Sequence, residues 1–190
     1  MISIGLTTKY GVIACDSKDS KEEYSVPRLY MSSKGNALFS YTGSHLYLNG
    51  LDLSKFSLPF NSVCLYLKEY FLKTLSSVAE MEEDLPSKEG TSFCLLVLGV
   101  HNKRPTAAKF SVENKFKPVY VWSEKSIVFL SSGNKAETET ISKKYTKLSP
   151  GIVGEILSKG IYKNGISGVV NCASIDMNEK VFPLSTYQIV

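Results

Sequence analysis

Four successive positions, Val12-Ile13-Ala14-Cys15, are apolar, and the run ends at Asp16. Successive side chains of a strand point to opposite faces, so an unbroken apolar run predicts a sheet covered on both sides. Ala37-Leu38-Phe39-Ser40-Tyr41 reads as a second buried strand, and the longest apolar run, Phe93 to Val100, as a third. Before them, Ile2, Ile4 and Leu6 alternate with Ser3, Gly5 and Thr7, the pattern of a half-buried strand, and Thr8-Lys9-Tyr10-Gly11 reads as the hairpin turn between. Tyr24 to Tyr30 contains Pro27, which suits an edge strand or an irregular extended piece.

Helical periodicity begins at Pro59. Phe60, Val63, Cys64, Leu67, Phe71, Leu75 and Val78 recur at i, i+3, i+4 and i+7 behind the N-cap candidate Asn61. The segment from His45 to Pro59 supports at most one short helix. After Gly90, four runs (Ser92 to Val100, Pro105 to Val112, Pro118 to Trp122, Ile127 to Leu130) read as a meander of strands. A helix over about Lys135 to Tyr145 carries Glu137 and Glu139 early and Lys143, Lys144 and Lys147 around its end, an order that suits the helix dipole. The next begins at Ser149-Pro150, serine as N-cap and proline in the first turn, and buries Ile152, Val153, Ile156, Leu157 and Ile161. Strands Gly168 to Asp176 and Val181 to Thr186 close the chain. No repeat, linker or boundary divides it, so residues 1–190 are read as a single domain.

The element order is strands, helix, strands, two helices, two strands. With strands apolar on both faces, the expected fold class is α+β: two antiparallel sheets stacked face to face and covered by helices on both outer sides, a four-layer αββα sandwich. A two-layer α+β domain is the alternative. A chain of 190 residues buries roughly 70% of the surface its unfolded form exposes, enough for a core without disulfides or structural metal.

Composition narrows the function classes. Cys15, Cys64, Cys94 and Cys172 lie far apart without a CxxC pair and read as reduced core thiols. His45 and His101 are the only histidines, too few for a histidine-rich metal site, and no cofactor motif is present. Lysine and arginine exceed aspartate and glutamate by 22 − 18 = 4. The arginines are only Arg28 and Arg104, and the lysines are dispersed, so a solvated surface rather than a nucleic-acid partner is expected. No apolar run approaches the roughly 20 residues of a membrane span, and the N-terminus has neither the basic nor the apolar region of a signal peptide. A cytoplasmic location, also nuclear if the source is eukaryotic, is the expectation.

Several short motifs then line up. Ile4-Gly5-Leu6, Gly11-Val12-Ile13-Ala14-Cys15-Asp16, Arg28-Leu29-Tyr30, Tyr41-Thr42-Gly43, Ser131-Ser132-Gly133 and Asn164-Gly165-Ile166-Ser167-Gly168 follow, in order, the landmarks of proteasome β-type subunits, and the chain resembles that family from Ile2 to about Val181. The resemblance implies the sandwich of N-terminal nucleophile hydrolases. In that family a threonine opening the mature chain attacks the peptide carbonyl, its own α-amine is the base, and a nearby lysine tunes the site. A later aspartate and serine hold the arrangement, and a glycine N–H stabilises the oxyanion.

Carried onto these residues, the resemblance implies a silent site. The nucleophile position holds Met1, followed by Ile2, neither of which can attack, and bulky Ile2 resists removal of the initiator methionine. The lysine position, counted back from Arg28-Leu29, falls on Ser25. The aspartate is replaced by Asn164, which keeps hydrogen-bonding geometry and loses the charge. Asp16, Gly43, Ser132, Gly133, Ser167 and Gly168 match the family pattern, though all are also positions that backbone geometry or turn chemistry would require. The implied function is a non-catalytic β-type subunit of a proteasome or proteasome-like barrel, completing a ring with other α- and β-type subunits, shaping the chamber wall and meeting unfolded polypeptide only in passing. Two alternatives remain: an active amidohydrolase or protease maturing to an unusual nucleophile such as Ser3, and a free-standing binding or assembly module on the same fold.

Overall fold

The computed structural model of the chain describes residues 1–16, 29–32, 34, 36–43, 45–82, 93–132, 135–163 and 168–189. Among these residues ten strands form two five-stranded antiparallel sheets. One sheet has the order β10-β9-β2-β1-β8, built from β1 (Ile2–Leu6), β2 (Tyr10–Asp16), β8 (Val128–Ser131), β9 (Gly168–Asp176) and β10 (Val181–Ile189). The other has the order β3-β4-β5-β6-β7, from β3 (Leu29–Met31), β4 (Ala37–Gly43), β5 (Phe93–His101), β6 (Arg104–Ser111) and β7 (Val119–Trp122).

Three apolar clusters show how the layers stack. Ile2, Ile4, Leu6, Ile13 and Cys15 of the first sheet meet Leu38, Leu96, Leu98 and Ala107 of the second in a middle cluster. Val12 and Ala14 point the other way, into a cluster with Ile141 of α2 (Lys135–Ser142) and Val153, Ile156, Leu157 and Ile161 of α3 (Pro150–Lys163). On the far side, Phe39, Leu95, Val97, Ala108 and Phe110 pack under Phe60, Val63, Leu67 and Phe71 of α1 (Phe60–Glu82). The molecule is therefore mixed α+β, with two facing antiparallel sheets and helices against both outer faces. The alternation Val12/Ile13/Ala14/Cys15 splits between two cores, which is why every position of that strand is apolar.

Several expectations change. β1 is buried at all five positions rather than on one face. Ser3 and Gly5 face α3, and a side chain at Gly5 would meet Val153 Cγ1 at 2.7 Å, so glycine admits the helix to the sheet. The four-strand meander breaks after three, because β8 leaves the second sheet and pairs with β1 at the edge of the first. Asn61 stands in the first turn of α1, which starts at Phe60, and so does not cap it. Helix α2 ends at Ser142, three residues earlier than the pattern predicts.

The segment ahead of α1 forms two 3-10 turns, His45–Leu48 and Leu53–Ser57, in place of one short helix. Gly50, with φ +81°, separates them, and Asp52 caps the second by accepting from the Ser54 N–H at 3.0 Å. Helix α1 holds both down: Tyr66 Oη accepts from the Asp52 N–H at 2.8 Å, and Tyr70 Oη donates to the Asn49 carbonyl at 2.7 Å. Of the proposed strand Tyr24 to Tyr30, Leu29 and Tyr30 belong to β3, at a sheet edge; residues 24–28 lie outside the described residues.

Candidate functional site

The start of β1 is flanked by the end of β2 on one side and of β8 on the other. The β1/β2 register sets Ile2 opposite Cys15, which carries Asp16 beside Met1. The β1/β8 register sets Ser3 opposite Ser131, which carries Ser132 beside Ile2. Three strand ends thus gather residues as far apart as Ile2 and Ser132, 130 positions along the chain.

Each contributes a specific bond. The Met1 α-ammonium donates to Asp16 Oδ2, and the Asp16 N–H donates to the Met1 carbonyl at 3.2 Å. On the other side, the Ile2 N–H donates to Ser132 Oγ at 3.0 Å and the Ser132 N–H to the Ile2 carbonyl at 2.9 Å. Ser131 Oγ lies 3.0 Å from Ser3 Oγ and 3.3 Å from the Ile2 carbonyl, to which it donates. Asp16 is only 4% exposed, so its charge is answered by the ammonium rather than by water. The Met1 side chain packs against the apolar cluster beneath α3.

The first residue offers a thioether packed into an apolar cluster, and the second an aliphatic chain buried between the sheets. The Ser3 hydroxyl is 2% exposed, and the group in front of it is another hydroxyl, that of Ser131. A hydroxyl is no general base at neutral pH.

Of the residues singled out by the sequence, Met1, Asp16 and Ser132 therefore come together. Gly43 ends β4 on the other sheet with φ +96°, a conformation that side chains rarely adopt, and pairs with Phe93. Gly168 opens β9, paired with Ile189. Ser25, Gly133, Asn164 and Ser167 lie outside the described residues. Ser131 ties β8 to both Ser3 and Ile2, yet in the sequence it stands only as part of the Ser131-Ser132-Gly133 motif. Its role follows from the β1/β8 pairing, which no local pattern announces.

All four cysteines are buried. Burial pushes the Cys64 and Cys172 thiols up to about 12 and that of Cys94 up to about 11. Among the described residues no group of three His, Cys, Asp or Glu side chains could hold a metal ion, and no helix is long and apolar enough to cross a membrane. No protein-family model matches the chain, and no curated protein matches it in sequence.

Proposed function

We propose that the chain is a non-catalytic β-type subunit of a proteasome or proteasome-like proteolytic barrel, built on the N-terminal nucleophile hydrolase sandwich. The observation that carries this reading is the start of β1. Where the resemblance puts an attacking hydroxyl, the chain has the Met1 thioether packed against an apolar cluster. The stacking of helix, sheet, sheet and helices supports the same reading. So does the bracing of the first strand by Asp16 and Ser132, which makes the vestigial site a structural clamp. In this role the subunit completes a ring beside other α- and β-type subunits, in the cytoplasm and, in a eukaryote, the nucleus. It forms part of the chamber wall, and peptide bonds are cut by its neighbours.

Native mass spectrometry of the particle isolated from its source tests this. The expected result is a very large multi-subunit assembly that releases this chain, unmodified by an epoxyketone directed at N-terminal threonines. Covalent labelling of this chain, or its recovery only as a monomer or small oligomer, would overturn the proposal. The second outcome would favour a free-standing binding or assembly module. One observation speaks for that reading: residues 45–57 form two 3-10 turns where the family has a long helix that contributes to subunit contacts.

A further inference from the structure

A groove of about 790 Å³ opens on the outer face of the second sheet, beside the first turns of α1. The helix covers that face only as far as Phe60, whose ring lies over Gly99. Strands β6 and β7 continue past it, with Ala108 opposite Tyr120 and Thr106 opposite Trp122. Thr106, Tyr120 and Trp122 form the floor of the groove, Leu65 a wall, and His101 and Arg104 its end.

Two independent features describe what would fit. The first is backbone. Among the described residues β7 is the last strand of its sheet and pairs with β6 alone, so alternate N–H and C=O groups of Val119–Trp122 face away from that sheet. Such an edge accepts a further strand, and neighbouring pockets then read its alternate side chains. With Pro118 immediately before it and a length of four residues, β7 can pair with only a short segment.

The second feature is charge and surface chemistry. Arg104 is exposed and makes no ion pair among the described residues. Lys103 in the same hairpin turn and Lys125 in the loop after β7 are exposed as well, and among the described residues lining the groove Glu124 is the one carboxylate. Trp122 and Tyr120 are 46% and 42% exposed, and Trp, Tyr and Arg are the side chains on which interface energy concentrates. Tyr120 is already seated against α1, its ring edge-on to Phe60 at 6.4 Å. A platform set before binding loses little entropy on binding.

We infer that β7 and this groove are a docking site for a short extended peptide segment of a partner protein, added to β7 as an extra strand and carrying an Asp or Glu that pairs with Arg104. A second copy of the chain is the poorer occupant, because two-fold pairing of β7 with itself brings the same cationic excess to both sides. The site is separate from the Met1 cluster, which lies at strand ends of the other sheet, and it stands or falls independently of the barrel reading.

A displayed library of random octapeptides, selected on the immobilised full chain, tests the inference. The best octapeptide is then synthesised and titrated against the fluorescence of Trp122, the one tryptophan in the sequence. Selected peptides should be rich in β-branched residues with at least one Asp or Glu, should slow amide exchange at Val119–Trp122, and should bind the Arg104→Glu variant about tenfold more weakly. Arg104 is exposed, so the thermal melt of that variant should match the parent. Failure to select any peptide, equal binding to Arg104→Glu, or protection at another strand would overturn the inference. Protection of Val119–Trp122 that rises with protein concentration in the absence of peptide would overturn it in favour of a second copy.

Discussion

The α-ammonium of Met1 donates to the carboxylate of Asp16 while the Asp16 N–H donates back to the Met1 carbonyl, so the two residues are joined through both charge and backbone. The side chains of the pair are 12% and 5% exposed. Removing one member of a buried ion pair leaves the other without compensation. In a chain that begins at Met1, Asp16→Asn should lower the free energy of unfolding by roughly 3 kcal/mol, read from urea denaturation. Acetylating the α-amine should act in the same direction. A loss below about 0.5 kcal/mol would mean that the pair behaves like a solvated surface contact.

The helical layer over the first sheet carries a pH-dependent contact. Lys159 Nζ and Tyr145 Oη both donate to Glu155 Oε1, and the Lys159 bond first, then that of Tyr145, holds the Glu155 carboxyl below its ordinary value of 4.5. A carboxylate depressed by folding adds stability above its unfolded value, and that stability is lost as the pH falls through the folded one. The difference in urea midpoint between the parent and Glu155→Gln should therefore be full at neutral pH and shrink as the pH falls below 4.5. The Glu155 bond first, then the bond Lys159 Nζ donates to Tyr145 Oη, raises Lys159 above its ordinary 10.5, so its contribution should persist to that pH and fade beyond it. A midpoint difference that stays constant into acid would refute the assignment.

Thiol chemistry gives a third prediction. With their thiols pushed up to about 12, Cys64 and Cys172 hold about a thousandfold less thiolate at pH 8 than a cysteine at 9.0, and burial blocks the reagent as well. Iodoacetamide should leave the folded chain unlabelled at these residues and at Cys94, and should add four groups once urea unfolds it. Intact mass before and after unfolding decides the matter; rapid native labelling would place a thiol at the surface.

Between α1 and the second sheet, fit leaves no room at one position. A Cβ at Gly99 would lie 2.5 Å from Phe60 Cδ2, so Gly99→Ala must displace the ring that opens the helix. Overpacking of this kind costs about 1–3 kcal/mol, and a lower thermal midpoint should show it. Combining it with Phe60→Leu should recover part of the loss; an unchanged midpoint in the single variant would mean that the helix N-terminus is not seated on Gly99.

The sequence by itself determined those features that a few neighbouring residues specify. The doubly apolar run Val12 to Cys15 required a sheet covered on both faces, and the i, i+3, i+4 pattern from Phe60 required a long buried helix. Ser149-Pro150 marked the start of α3, where Ser149 Oγ accepts from the Ile152 N–H at 3.3 Å. What only the tertiary structure decided was the pairing of distant segments. Ile127 to Leu130 reads as a strand, but its place beside β1 rather than β7 depends on which faces the two sheets bury together, a property of the assembled core. The residues before α1 could have made a helix, yet Tyr66 and Tyr70 hold them as two turns. Met1, Asp16 and Ser132 carry no shared local pattern. They meet because antiparallel pairing on both sides of β1 brings three strand ends to one place, and register between segments more than a hundred residues apart is set by burial of a common core rather than by local chain preference.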